Sequence, residues 1–169
     1  PKFHNSIVVE RDGVGVLHPP GDGIVIPPLA SLDYTSETPT FGLVQTEASG
    51  YNGVDWQRNI FWRKGRYFVV IDRLLCTQAS EYRCRCLWRL VGEVSQNGGD
   101  VTLKQQGETF TIRNAGGVEQ EVVPDPHEKS RWTAYPYADG ILNILHQKSG
   151  GALQDGEGLT FANLLTPHA

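Results

Sequence analysis

A chain of 169 residues falls within the size of one domain and is long enough to bury a core without disulfides or metals. A charged fraction of 20% beside a hydrophobic fraction of 39% excludes a disordered polymer, and a net charge of −4 gives no overall attraction for nucleic acid or an anionic membrane surface. No run reaches the ~20 apolar residues of a membrane helix, the first residues have no signal-peptide layout, and the absence of methionine points to an excised or processed piece of a longer protein.

Short apolar stretches alternate with Gly, Pro, Asn and Asp, and no stretch of a dozen residues keeps a helical period. The expected fold is therefore all-β, an antiparallel β-sandwich of jelly-roll or supersandwich type with roughly 10–12 strands, formed by residues 1–169 as a single domain. In chain order the candidate strands are Ser6–Glu10, Leu29–Tyr34, Phe41–Ala48, Val54–Arg63, Arg66–Leu74, Tyr82–Val94, Val101–Lys104, Glu108–Arg113, Val118–Val123, Arg131–Ala138, Ile141–His146 and Leu159–Leu165. The Pro19-Pro20 and Pro27-Pro28 pairs cannot sit in central strands and mark a loop. Gln96 to Asp100 reads as a turn.

The clearest local object is a hairpin of Val54–Arg63 and Arg66–Leu74 around a two-residue Lys64-Gly65 turn. That register pairs Arg63 with Arg66 and Trp62 with Tyr67. It puts Trp56, Ile60, Trp62, Tyr67, Val69 and Ile71 on the core face, and Asp55, Gln57, Asn59, Phe61, Arg63, Phe68, Val70 and Asp72 on the other. Arg58 then falls on the core face opposite Ile71. A buried guanidinium needs acceptors, so Arg58 either pairs with a carboxylate, Asp72 if a bulge shifts the register, or grips a substrate carboxylate.

The three cysteines, Cys76, Cys84 and Cys86, include no CxxC and define neither a disulfide framework nor a zinc site. Cys84 and Cys86 share one strand face and read as core. His18, His127, His146 and His168 have no common spacing, no nucleophile motif is present, and catalytic residues are not expected in this chain. Eight of the fifteen cations lie between Arg58 and Arg89, a cluster that strand alternation divides between faces. Trp132, Tyr135 and Tyr137 form an aromatic-rich segment that reads either as sandwich core or as a sugar-stacking platform.

Three stretches, in this order, resemble the C-terminal half of heparinase II/III-like proteins. They are Phe3-His4-Asn5-Ser6-Ile7-Val8-Val9 ending in Asp12-Gly13, then Trp56-Gln57-Arg58-Asn59-Ile60-Phe61 with Tyr67 to Leu74, and Gly156 to Leu165. The resemblance implies an accessory β-sandwich whose parent joins it to an (α/α) toroid. Such a parent cleaves uronic-acid-containing, hence anionic, polysaccharide by β-elimination, in the periplasm or after secretion. The toroid's catalytic Asn and Tyr or His, and an upstream His-x-His-x-Asp strand, are not in this sequence, so the chain is expected not to be catalytic alone. His4 matches a position that resembles a structural zinc ligand in some members. The implied zinc belongs to the full-length parent, because one imidazole is too few for a structural site. Arg58, Trp132, Tyr135 and Tyr137 are the candidate substrate-binding residues. The alternative is a free-standing carbohydrate-binding or structural jelly-roll module.

Overall fold

The structure is a computed structural model that describes residues 5–15, 30–125 and 142–168. These form thirteen strands: β1 Ile7–Arg11, β2 Val14–Gly15, β3 Ser31–Glu37, β4 Phe41–Tyr51, β5 Val54–Arg63, β6 Tyr67–Cys76, β7 Ser80–Val91, β8 Glu93–Asn97, β9 Asp100–Gln105, β10 Glu108–Asn114, β11 Glu119–Pro124, β12 Leu142–Leu153 and β13 Gly158–His168. Every pairing is antiparallel. One sheet has five strands in the order β11-β12-β7-β1-β2, and the other has eight in the order β3-β4-β5-β6-β13-β10-β9-β8.

The sheets are held together by one apolar cluster. Ile7, Val9, Tyr82, Cys84, Cys86, Trp88 and Leu145 meet Val54, Val70, Leu74, Val101, Ile112, Phe161 and Leu165 across the layers. Each contributor alternates with outward residues, so two-residue periodicity delivers one apolar face per strand. The interior also carries an amide ladder. Gln147 Nε2 donates to Asn163 Oδ1 at 2.6 Å and to Gln120 Oε1 at 3.0 Å, and Asn114 Nδ2 donates to Asn163 Oδ1 at 3.3 Å. These bonds tie the two sheets at a fixed alignment, because buried amides keep their partners.

The eight-stranded sheet consists of two sequence-local meanders, β3 to β6 and β8 to β10. β13 lies between them, pairing Gly158 to Leu165 with β6 and Asn163 to His168 with β10.

The all-β sandwich is as expected from the sequence, with local corrections. The expected strand Tyr82–Val94 is two strands in different sheets, β7 and β8, separated at Gly92. There φ is +121°, and a Cβ would stand 2.4 Å from the Lys104 carbonyl oxygen, so only glycine passes the chain from one layer to the other. The short β2, paired with β1 across the Asp12-Gly13 turn, was too brief to stand out by periodicity. The expected strand Arg131–Ala138 lies outside the described residues.

The hairpin register is also corrected. Arg63 pairs with Tyr67, Trp62 with Phe68 and Arg58 with Asp72. The connection is three residues, Lys64 to Arg66: the Arg66 N–H donates to the Arg63 carbonyl at 2.9 Å, and Gly65 has φ +70°. One added loop residue moves every β6 side chain to the opposite face. Val70, Asp72 and Leu74 therefore point inward and are buried, while Val69 and Ile71 share the outer face with Phe61 and Asn59.

Candidate functional site

β5 and β6 run from the core to an overhang, and their two ends present different chemistry. At the core end Asp72 is fully buried and accepts from three side chains. Arg58 donates from Nε to Oδ1 at 2.7 Å and from Nη2 to Oδ2 at 3.0 Å, a bidentate pair, and Trp56 Nε1 donates to Oδ1 at 2.7 Å. The Cys86 thiol lies 3.9 Å from Oδ2. The remaining Arg58 arm donates from Nη1 to the Asn5 carbonyl at 2.9 Å, and Asn5 Oδ1 accepts the Arg89 N–H at 2.7 Å. The guanidinium also lies over the rings of Trp56 and Trp88, at 5.3 and 5.9 Å from their centroids.

Burial opposes the charge on Arg58, but the hydrogen bonds and charge of Asp72 outweigh it and leave its pKa above the ordinary value. Paired, bidentate and aromatic-flanked, the ion pair meets the conditions under which a buried charge is tolerated. Burial first, and the Asp72 charge second, push the Cys86 thiol up. Burial pushes Cys84 up to about 12. These thiols sit in the core, as the i, i+2 spacing implies.

The other end of the two strands lies beyond the cover of the smaller sheet. β3 is exposed throughout. Apart from Val14 on β2, the exposed large hydrophobic residues among the described ones are Leu32, Tyr34, Phe41, Val44, Phe61, Trp62 and Tyr67, all on β3 to β6. Pairing sorts them by face. Phe41, Arg63 and Tyr67 form one row across the outer face, with Leu43, Phe61 and Val69 in the next and Tyr34, Gln45, Asn59 and Ile71 behind them. Trp62 is on the inner face, stacked on Phe68 with centroids 5.6 Å apart and planes 7° from parallel. Such a continuous apolar area on an exposed sheet marks a contact surface.

The cations between residues 58 and 89 separate as alternation requires. Arg58 points into the core, Arg63 and Arg73 lie on the outer face of the large sheet, and Arg83, Arg85 and Arg89 lie on that of the small sheet. The small-sheet cations are largely neutralised: Arg85 pairs with Glu10, Arg89 with Asp125, and Lys148 with Glu119 at 2.9 Å and Glu121 at 2.7 Å. A depression of about 470 Å³ on that sheet is lined by Arg83, Arg85 and Lys148 together with Glu10, Glu81 and Glu119, so it has no net preference for an anion.

His4, Trp132, Tyr135 and Tyr137 lie outside the described residues. Among the described residues no group of three His, Cys, Asp or Glu side chains could hold a metal ion, so they offer no ligand set for the implied zinc. The aromatics of β3 to β6 were not singled out from sequence as a contact surface, because alternation alone assigns each to a face without showing that the facing sheet stops short.

An antiparallel two-layer sandwich with a protruding aromatic margin is the class that fold and surface define. The family described as "Heparinase II/III-like, C-terminal" matches residues 2–138, and the chain belongs to that family. Among solved structures it is similar to heparan sulfate lyase HepC from Pedobacter heparinus, with a TM-score of 0.63 and 12% identity over 82% of this chain and 22% of that one. It is also similar to the heparinase III BT4657 gene product with methylated lysines, with a TM-score of 0.68 and 13% identity over 98% of this chain and 23% of that one. The chain thus spans about a fifth of the length of the structures it matches. At these identities the likeness carries the fold. No curated protein matches in sequence.

Proposed function

We propose that this chain is the accessory β-sandwich of a heparinase II/III-like polysaccharide lyase, forming one wall of a cleft whose other wall is an (α/α) toroid. The observation that carries this reading is the overhang of β3 to β6, whose Tyr34, Phe41, Phe61 and Tyr67 remain exposed although the sandwich has closed its own core. Rows of exposed aromatics on a stable sheet fit a contact surface, and as the wall of a cleft they would face the polymer it holds.

In the proposed parent, β-elimination removes the proton α to a uronic-acid carboxyl group while that carboxylate is neutralised. The base and its partners come from the toroid; this chain contributes shape and sugar contacts, with Trp132, Tyr135 and Tyr137 as further candidates. The substrate class is an anionic polysaccharide, and the compartment is the periplasm or the outside of the cell. A structural zinc in the parent would combine His4 with ligands upstream of it.

Incubation of the 169-residue chain alone with heparin, alginate or chondroitin is expected to give no unsaturated-uronide absorbance, whereas the parent carrying it produces that absorbance on one of them. A robust rise from the chain alone, or a parent inert on all three, overturns the reading.

A further inference from the structure

We infer that the tip formed by the β3–β4 and β5–β6 hairpins is a binding site for an anionic sugar segment, carboxylated or sulfated. The inference rests on the polysaccharide reading above and locates the contact on named residues.

The two turns act as one unit. The Lys64 N–H donates to the Thr40 carbonyl at 3.1 Å, and the Lys64 ammonium pairs with Glu37. Around them stand four half-exposed rings: Phe41 at 43%, Phe61 at 45% and Tyr67 at 37% on the outer face, and Trp62 at 39% on the inner. Two of them are held in place by neighbours. Arg63 lies over the Phe41 ring at 4.4 Å, Lys64 over Trp62 at 5.5 Å, and Trp62 on Phe68. Phe41 and Trp62, already fixed by these contacts, lose little freedom when a sugar stacks its C–H face on them, and the exposed Phe61 and Tyr67 extend the same platform.

The charge points the same way. Arg63, Lys64 and Arg66 are gathered at the tip, where Lys64 pairs with Glu37, in a chain whose net charge is −4. Arg66 is exposed, and among the described residues its guanidinium makes no ion pair. A planar, unengaged guanidinium beside stacking rings suits a carboxylate or sulfate bidentately. Behind the rings, Gln45 and Asn59 are paired on the outer face, and their amides suit sugar hydroxyls. The depression on the small sheet has no such cation excess and no exposed ring.

The test is calorimetric titration of the chain with a heparin-derived oligosaccharide and with uncharged dextran of similar length. It is run on the wild type and on Phe61→Ala, Arg66→Ala and Arg83→Ala, with thermal unfolding as the folding control. The expected result is binding to the charged oligosaccharide alone, weakened about fivefold or more by Phe61→Ala and by Arg66→Ala and unchanged by Arg83→Ala. Three results overturn the site. One is absence of binding. The second is equal loss from Arg83→Ala, which signifies diffuse ion exchange. The third is full affinity in Phe61→Ala, which leaves the tip to protein docking. None of these bears on whether the parent releases unsaturated uronide, so the two readings fail separately.

Discussion

β5 and β6 contain both extremes of the molecule within ten residues of each other. At one end Asp72 is shut inside the sandwich and holds the largely covered Arg58 in a bidentate pair. At the other, Phe61 and Tyr67 stand in solvent. A charge lies inside and aromatics lie outside, the reverse of what residue type alone suggests. The contrast teaches that burial here is decided by how far the smaller sheet reaches along the larger one. Function is then to be sought where the cover ends.

The sharpest way to break this contrast is at the core end. Asp72→Ala leaves Arg58 buried and uncompensated and is expected to cost about 3–5 kcal/mol in urea unfolding. Replacing both partners, Arg58→Met with Asp72→Leu, is expected to cost clearly less. Equal losses would mean that Arg58 reaches water and that the core end is not sealed.

A smaller effect comes from the thiols. Burial raises Cys84 from its ordinary 9.0 to about 12, so folding favours the protonated form. Its stabilising contribution is complete below pH 9 and is lost as pH rises toward 12. Urea midpoints taken across that window should fall, and Cys84→Ala should flatten part of the slope. A slope unchanged in that variant would place the alkaline loss on Tyr51 and Tyr82, whose pKa values burial also raises.

The smallest effect is expected at the overhang. Phe61→Ser should change unfolding free energy by less than about 0.5 kcal/mol, as at surface positions without buried contacts. A loss above 1 kcal/mol would show that the ring already packs within the domain, and the contrast between the two ends would disappear.

Much of the fold was legible in the sequence because each strand writes its own alternation: β4, β5 and β13 fall on expected strands, β12 runs past the expected end at His146 to Leu153, and Cys84 and Cys86 face the core as their spacing implies. The errors share one cause. Alternation says which residues share a face, but a single residue in a connection decides which face it is. Hence the two-residue reading of Lys64-Gly65 put Asp72 outside, and the two-residue alternation that runs on from Tyr82 to Val94 concealed the passage between sheets at Gly92. The Arg58–Asp72 alternative was visible as the demand of a guanidinium for acceptors. The tip was not, since it depends on where another sheet stops, and no local pattern encodes that distance.

The position of β13 has a consequence for how the chain is made. The two meanders that it joins are completed earlier in the sequence, by Cys76 and by Asn114, yet neither borders the other without it. A nascent chain emerging from the ribosome therefore holds two half-sheets with raw edges until residues 158–168 follow. The large layer is sealed by its last strand, as a keystone seals an arch.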